Sequence, residues 1–171
     1  SSTTPWVIDG SANISKQIYI FEWDIVTKKD IWSKTDKPKV FIALKKSDGT
    51  GGNIWIDPSV KDIIASLIAD GSIFSGTWPS NYVTPATTDK QLYIYGSVMS
   101  NNTVGGKWLN RCPKSIPSCG TSGNYDFENF RWFDGTLANK ASASETASFV
   151  IEHDPRLVQD SPLVLMRDLT R

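Results

Sequence analysis

The chain has 171 residues, enough for a single domain spanning residues 1–171 with a hydrophobic core. Lys plus Arg and Asp plus Glu each total 18, so the net charge is zero, which argues against a nucleic-acid binder relying on a broad basic face. No run of about 18 apolar residues occurs, so no membrane span is expected.

The polar arm Ser1-Ser2-Thr3-Thr4-Pro5 carries neither an initiator Met nor a signal-peptide pattern. It reads as the start of a processed product or of a piece of a longer protein or assembly. A Gly-Ser device then recurs along the chain, in "VIDGSANIS" (7–15), "IADGSIFSG" (68–76) and "IYGSVMSNN" (94–102). Each instance follows apolar residues and leads into a polar tail. Glycine suits a corner that a Cβ would obstruct, and the following serine can bond the backbone at the bend.

Between these corners lie short strand-like runs: "QIYIFEW" (17–23), "KVFIAL" (39–44), "NIWID" (53–57) and "QLYIYG" (91–96). Each carries an aliphatic–aromatic–aliphatic triplet. Strand alternation puts the aliphatics on one face and Tyr19, Phe41, Trp55 and Tyr93 on the other. Short strands, glycine corners and a repeat in the twenties predict a mainly β fold, a β-solenoid of stacked coils over residues 1–106. An ordinary sandwich with β-bulges is the alternative. Residues 57–71 fit two patterns. Val60, Ile63, Ile64, Leu67 and Ile68 have helical spacing between Ser59 and Gly71, while their β-branching favours two strands around a bend.

Beyond residue 106 the pattern breaks. Cys112 and Cys119 lie in a Pro-rich loop, where a disulfide is expected and two thiols are the alternative; the disulfide suits an oxidising, extracellular setting. With His153 the only histidine, no zinc set is completed. The aromatic run 125–135, with Phe127, Phe130 and Phe133 at threefold spacing, reads as a short helix in a cap spanning 107–149. "ETASFVIEHDPRLV" (145–158) reads as a strand ending at Pro155, and residues 150–171 as a closing strand and tail.

The runs "GGNIWIDPSVKDIIASLIADGSIFSG", "KQLYIYGSVMSNNTVGG" and "VIEHDPRLVQDSPLVL" resemble a recurring C-terminal module. That module belongs to large surface or secreted proteins of uncultivated candidate-phyla-radiation bacteria. The resemblance covers residues 50–106 and, more loosely, 148–165. It implies a β-solenoid on an extracellular protein and assigns no catalytic residue.

The chemistry-bearing residues point away from an enzyme. Glu152 and Asp154 flank His153 on one strand, so the acid and base would face opposite ways. Asp9 and Asp70 precede equivalent glycines and could gather on one side, but Tyr95 holds the third such position. No cofactor is expected. Calcium is the one ion left open, at "KSDGTGGN" (46–53), where a turn explains the residues equally well. Tyr19, Phe41, Trp55 and Tyr93 are the candidate binding row, for sugar rings or another surface protein, with packing as the competing role. The expected function is a non-enzymatic structural or adhesive module of a bacterial surface protein. A carbohydrate-binding or carbohydrate-cleaving module and an extracellular filament subunit are the alternatives.

Overall fold

The computed structural model describes residues 4–10, 17–32, 37–79, 81–82, 91–102, 104–107, 125–126, 130 and 149–159. Their strands are, in order, Trp6–Ile8 (β1), Ile18–Glu22 (β2), Ile25–Thr27 (β3), Val40–Leu44 (β4), Ile54–Ile56 (β5), Asp62–Ile63 (β6) and Ser66–Ala69 (β7). There follow Ile73–Thr77 (β8), Asn81–Tyr82 (β9), Leu92–Tyr95 (β10), Val98–Ser100 (β11), Val104–Lys107 (β12), Tyr125–Asp126 (β13) and Phe149–Glu152 (β14), then one helical turn, Arg156–Gln159 (α1).

Each aliphatic–aromatic–aliphatic triplet lies in a strand, and the strands form three sheets. One runs β2-β4-β7-β11 and another β6-β10-β14, all parallel. The largest runs β1-β3-β5-β8-β12 in parallel, with β13 antiparallel at its end and β9 antiparallel to β8. The chain visits the three sheets in fixed rotation: β2, β3 and the Ile31–Ile63 bridge; β4, β5, β6; β7, β8, β10; β11, β12, β14. The protein is therefore mainly β and built on parallel sheets, an arrangement consistent with a β-helix-like fold.

The ambiguous segment 57–71 is strand, β6 and β7, with Val60, Ile63 and Leu67 fully buried. Helical spacing loses because Ile64 N–H donates to Ile31 and Ser66 N–H to Lys39, both on a preceding strand passage. Ile63 then stands between Ile31 and Ile94, and Ile68 between Ile42 and Met99, rather than on a helix face. Within the run at 145–158, β14 covers Phe149–Glu152, so the strand ends at Glu152. Asp154 caps α1 instead, accepting from Arg156 N at 2.9 Å, with Pro155 immediately before the helix.

The core is made of rows of side chains in register. Ile25, Ile54, Ile73 and Val104 form one; Ile31, Ile63 and Ile94 form another; Tyr19, Phe41, Leu67 and Val98 form a third. Phe130 is fully buried and meets Phe149 edge-on at 5.4 Å, so one residue of the aromatic run does reach the core. The disulfide expected between Cys112 and Cys119, and Phe127 and Phe133, lie outside the described residues.

Gly71 and Gly96 sit at corners, β7 to β8 and β10 to β11. Neither needs a positive φ; what each needs is the missing Cβ. At Gly96 a methyl would overlap the carbonyl of Ala65, and at Gly71 it would overlap the Asn53 side chain. The glycines thus allow the close approach of neighbouring strand passages rather than an unusual turn.

Candidate functional site

The four aromatic residues singled out by alternation do not share a face. On β5 and β10 the aliphatics point inward and Trp55 and Tyr93 point outward, as the pattern implies. On β2 and β4 the sense is reversed. Tyr19 and Phe41 face the core, stacked at 5.1 Å, while Ile20 and Ile42 face out. Volume is consistent with this: in the adjacent interior row Phe21 stands in register with the small Ala43 and Ala69.

Trp55, though outward, is covered. It packs against Phe74 at 4.7 Å in a cluster with Val26 and Trp78. Trp78 is held there by its indole N–H, which donates to Asp24 Oδ2 at 3.0 Å. Tyr93 lies alone of the four on the outside of the β6-β10-β14 sheet. Its hydroxyl donates to Glu152 Oε2, and that bond, followed by partial burial and the nearby negative charge, pushes its pKa up to about 12.

What does converge is a polar ladder at the corner leading into β3, β5, β8 and β12. Asp24 Oδ1 accepts from both the backbone and the side-chain N–H of Asn53, each at 2.9 Å. Asn53 Oδ1 accepts from Ser72 N at 2.9 Å, and Ser72 Oγ accepts from Asn102 Nδ2 at 2.8 Å. Asp24 is buried, so its charge is held by these donors and Trp78. This ladder was hidden in the sequence because its members, Asp, Asn, Ser and Asn, share chemistry rather than identity.

The other carboxylates are spread out. Asp9 pairs with Lys29 at 3.0 Å, whereas Asp70 accepts from Asn101 and from the backbone of Lys45, with both bonds holding its carboxyl below the usual range. They do not gather on one side. Asp48, in the loop considered for calcium, accepts from the hydroxyl and backbone N–H of Thr50, which closes a turn and lowers its pKa. Burial pushes the Asp154 carboxyl up, but its paired bonds to Arg156 at 2.7–3.1 Å outweigh that and leave it lowered. Among the described residues no three His, Cys, Asp or Glu side chains group as a metal set.

Two surface features remain. The outer face of β2-β4-β7-β11 carries an aliphatic row, Ile20, Ile42, Ile68 and Met99, in register across all four strands. Its ends are the most open, Ile20 at 55% and Met99 at 50% exposure. At the corner after β2 lies a cleft of about 740 Å³, lined by Trp6, Glu22, Trp23, Lys45, Lys46 and Asp48 among others. Neither is legible in the sequence: alternation does not say that Ile20 and Ile42 face out, Met99 lies in no triplet, and Trp6 precedes the first recognised strand. No family model, curated protein or solved structure matches this chain.

Proposed function

We propose that the chain is a non-enzymatic structural module of an extracellular protein, a β-solenoid that packs through one sheet face against a second copy of itself. Support for stacked coils comes from the fixed rotation among three parallel sheets and from the core rows that run across them. The extracellular setting rests on the sequence, through the Cys112–Cys119 loop and the resemblance of residues 50–106 to surface-protein modules.

The observation that carries the self-packing is the outer row Ile20–Ile42–Ile68–Met99. It is an uncharged aliphatic stripe on a sheet face. Such stripes are buried in sheet-on-sheet packing, with two faces about 10 Å apart. A copy turned about a twofold axis sets the same stripe against itself, with Ile20 toward Met99. The aromatics that might have bound a glycan as a row are spent differently, Tyr19 and Phe41 in the core and Trp55 beneath Trp78.

Sedimentation velocity across micromolar to millimolar concentration tests this. The wild-type protein is expected to shift to a dimer as concentration rises. The variant Ile20→Lys with Met99→Lys, altered only at exposed positions, is expected to stay monomeric with an unchanged melting midpoint. A wild-type protein that stays monomeric throughout, or a double variant that dimerises as well as wild type, would sink the self-packing.

A further inference from the structure

We infer that the cleft at the corner after β2 is a binding site for a neutral saccharide, with the Trp6 indole as its platform. This goes beyond the structural role and occupies a different surface. Trp6 stacks on Phe21 with ring centroids 4.8 Å apart and planes inclined at 29°, yet it remains 56% exposed. One face is thus braced while much of the ring stays open. The backbone beneath is fixed as well, since Trp6 N–H donates to Asp24 O at 2.9 Å and β1 pairs in register with β3. A rigid indole offers sugar C–H groups an apolar surface without an ordering cost.

The rest of the cleft suits hydroxyl groups. Glu22 and Asp48 supply acceptors, Lys45 and Lys46 donors, and Thr4 and Ser47 both. Two carboxylates and two ammonium groups line the cleft, so no sign of charge prevails and neither an anion nor a cation is favoured. A neutral polyhydroxyl ligand uses both kinds of group. Several of these side chains are already positioned. Asp48 Oδ1 is fixed by Thr50, and the Lys46 ammonium lies 3.5 Å from the centre of the Trp23 ring. The Trp23 indole lies close against Gly51, where any Cβ would collide with it. A volume of about 740 Å³ is large enough for a short oligosaccharide.

The test is an array of neutral oligosaccharides, including β-linked glucan and mannan hexamers, followed by titration calorimetry with the best retained glycan. The full chain is expected to retain at least one neutral glycan at 0.15 M salt or above, because charge attraction is not the source of binding. Trp6→Ala is expected to weaken it at least tenfold, and Glu22→Gln, an exposed change, several-fold. Trp32→Ala, which alters the exposed indole of a separate smaller cleft, is expected to leave affinity unchanged. Circular dichroism and the melting midpoint establish that each variant is folded. Failure of folded wild type to retain any neutral glycan overturns the proposal. So does binding confined to acidic glycans and lost in salt, or a Glu22→Gln protein that binds as wild type does.

Discussion

Single side chains in this protein are set by what lies beside them on the neighbouring strand more than by their own sequence neighbours. Tyr93 illustrates this. Its partner Glu152 is far along the chain and comes within reach because β10 and β14 pair in register, Tyr95 beside Glu152 and Tyr93 beside Val150. The hydroxyl proton is held, so the pKa rises from an ordinary 10.0 to about 12. A raised folded-state value means that stability from this bond is complete below pH 10 and is lost as pH climbs from 10 toward about 12. Urea midpoints measured from pH 9 to 12 should fall more steeply for wild type than for Tyr93→Phe, which lacks the titrating hydroxyl. Parallel slopes would remove the bond from any part in alkaline stability.

At the scale of elements, strands were the easiest feature to read and their facing the hardest. The triplets in β2, β4, β5 and β10 are visible because β-branched and aromatic residues alternate over short runs closed by polar or glycine residues. Alternation alone, however, divides a strand into two sets without saying which set is inside. On β5 the aliphatics are inside, and on β4 the aromatic is, with the small Ala43 and Ala69 in the adjacent interior row. Part of that information, Ala69 on β7, sits on another strand. The corner ladder was equally unreadable, since Asp24, Asn53, Ser72 and Asn102 fall at unequal intervals. Its energetic role is testable at Asn53, which gives two hydrogen bonds to Asp24 and accepts one from Ser72. Asn53→Asp exchanges a donor for a second carboxylate beside a buried one. We expect a loss of about 3 kcal/mol near neutral pH. The introduced carboxyl has a raised folded-state pKa, so part of the loss should be recovered as pH falls and it becomes a donor. Denaturant titrations at pH 7 and pH 4.5 measure both effects; equal losses at the two values would mean the carboxylates do not meet.

For the molecule as a whole, the Gly-Ser device pointed to a mainly β fold, which the parallel sheets bear out, for a partly different reason. Corners were expected at these glycines and occur at Gly71 and Gly96, but the glycines are there for the strand passage alongside. Gly96→Ala should therefore cost about 1–3 kcal/mol through forced separation of two backbones, although its own φ is ordinary. A thermal midpoint equal to wild type would show that the passages can part at no cost. The outer aliphatic row and the Trp6 cleft were not legible, because exposure belongs to the assembled sheets and no local pattern encodes it.

The corner between β4 and β5 has a further consequence. It carries a hairpin in which Lys45 bridges Gly51 and Lys46 N–H donates to Thr50 at the same time as Gly49 N–H donates to Lys46. The equivalent corner between β7 and β8 is only Asp70, Gly71 and Ser72, yet Ile54 and Ile73 still stand side by side at its end. Extra length is thus taken up off the sheets, in a loop that closes its own hydrogen bonds and returns the chain to the same place. Such a molecule can change what it displays without renegotiating what holds it together. Its interior is a grammar that repeats, and its corners are where new vocabulary can be inserted.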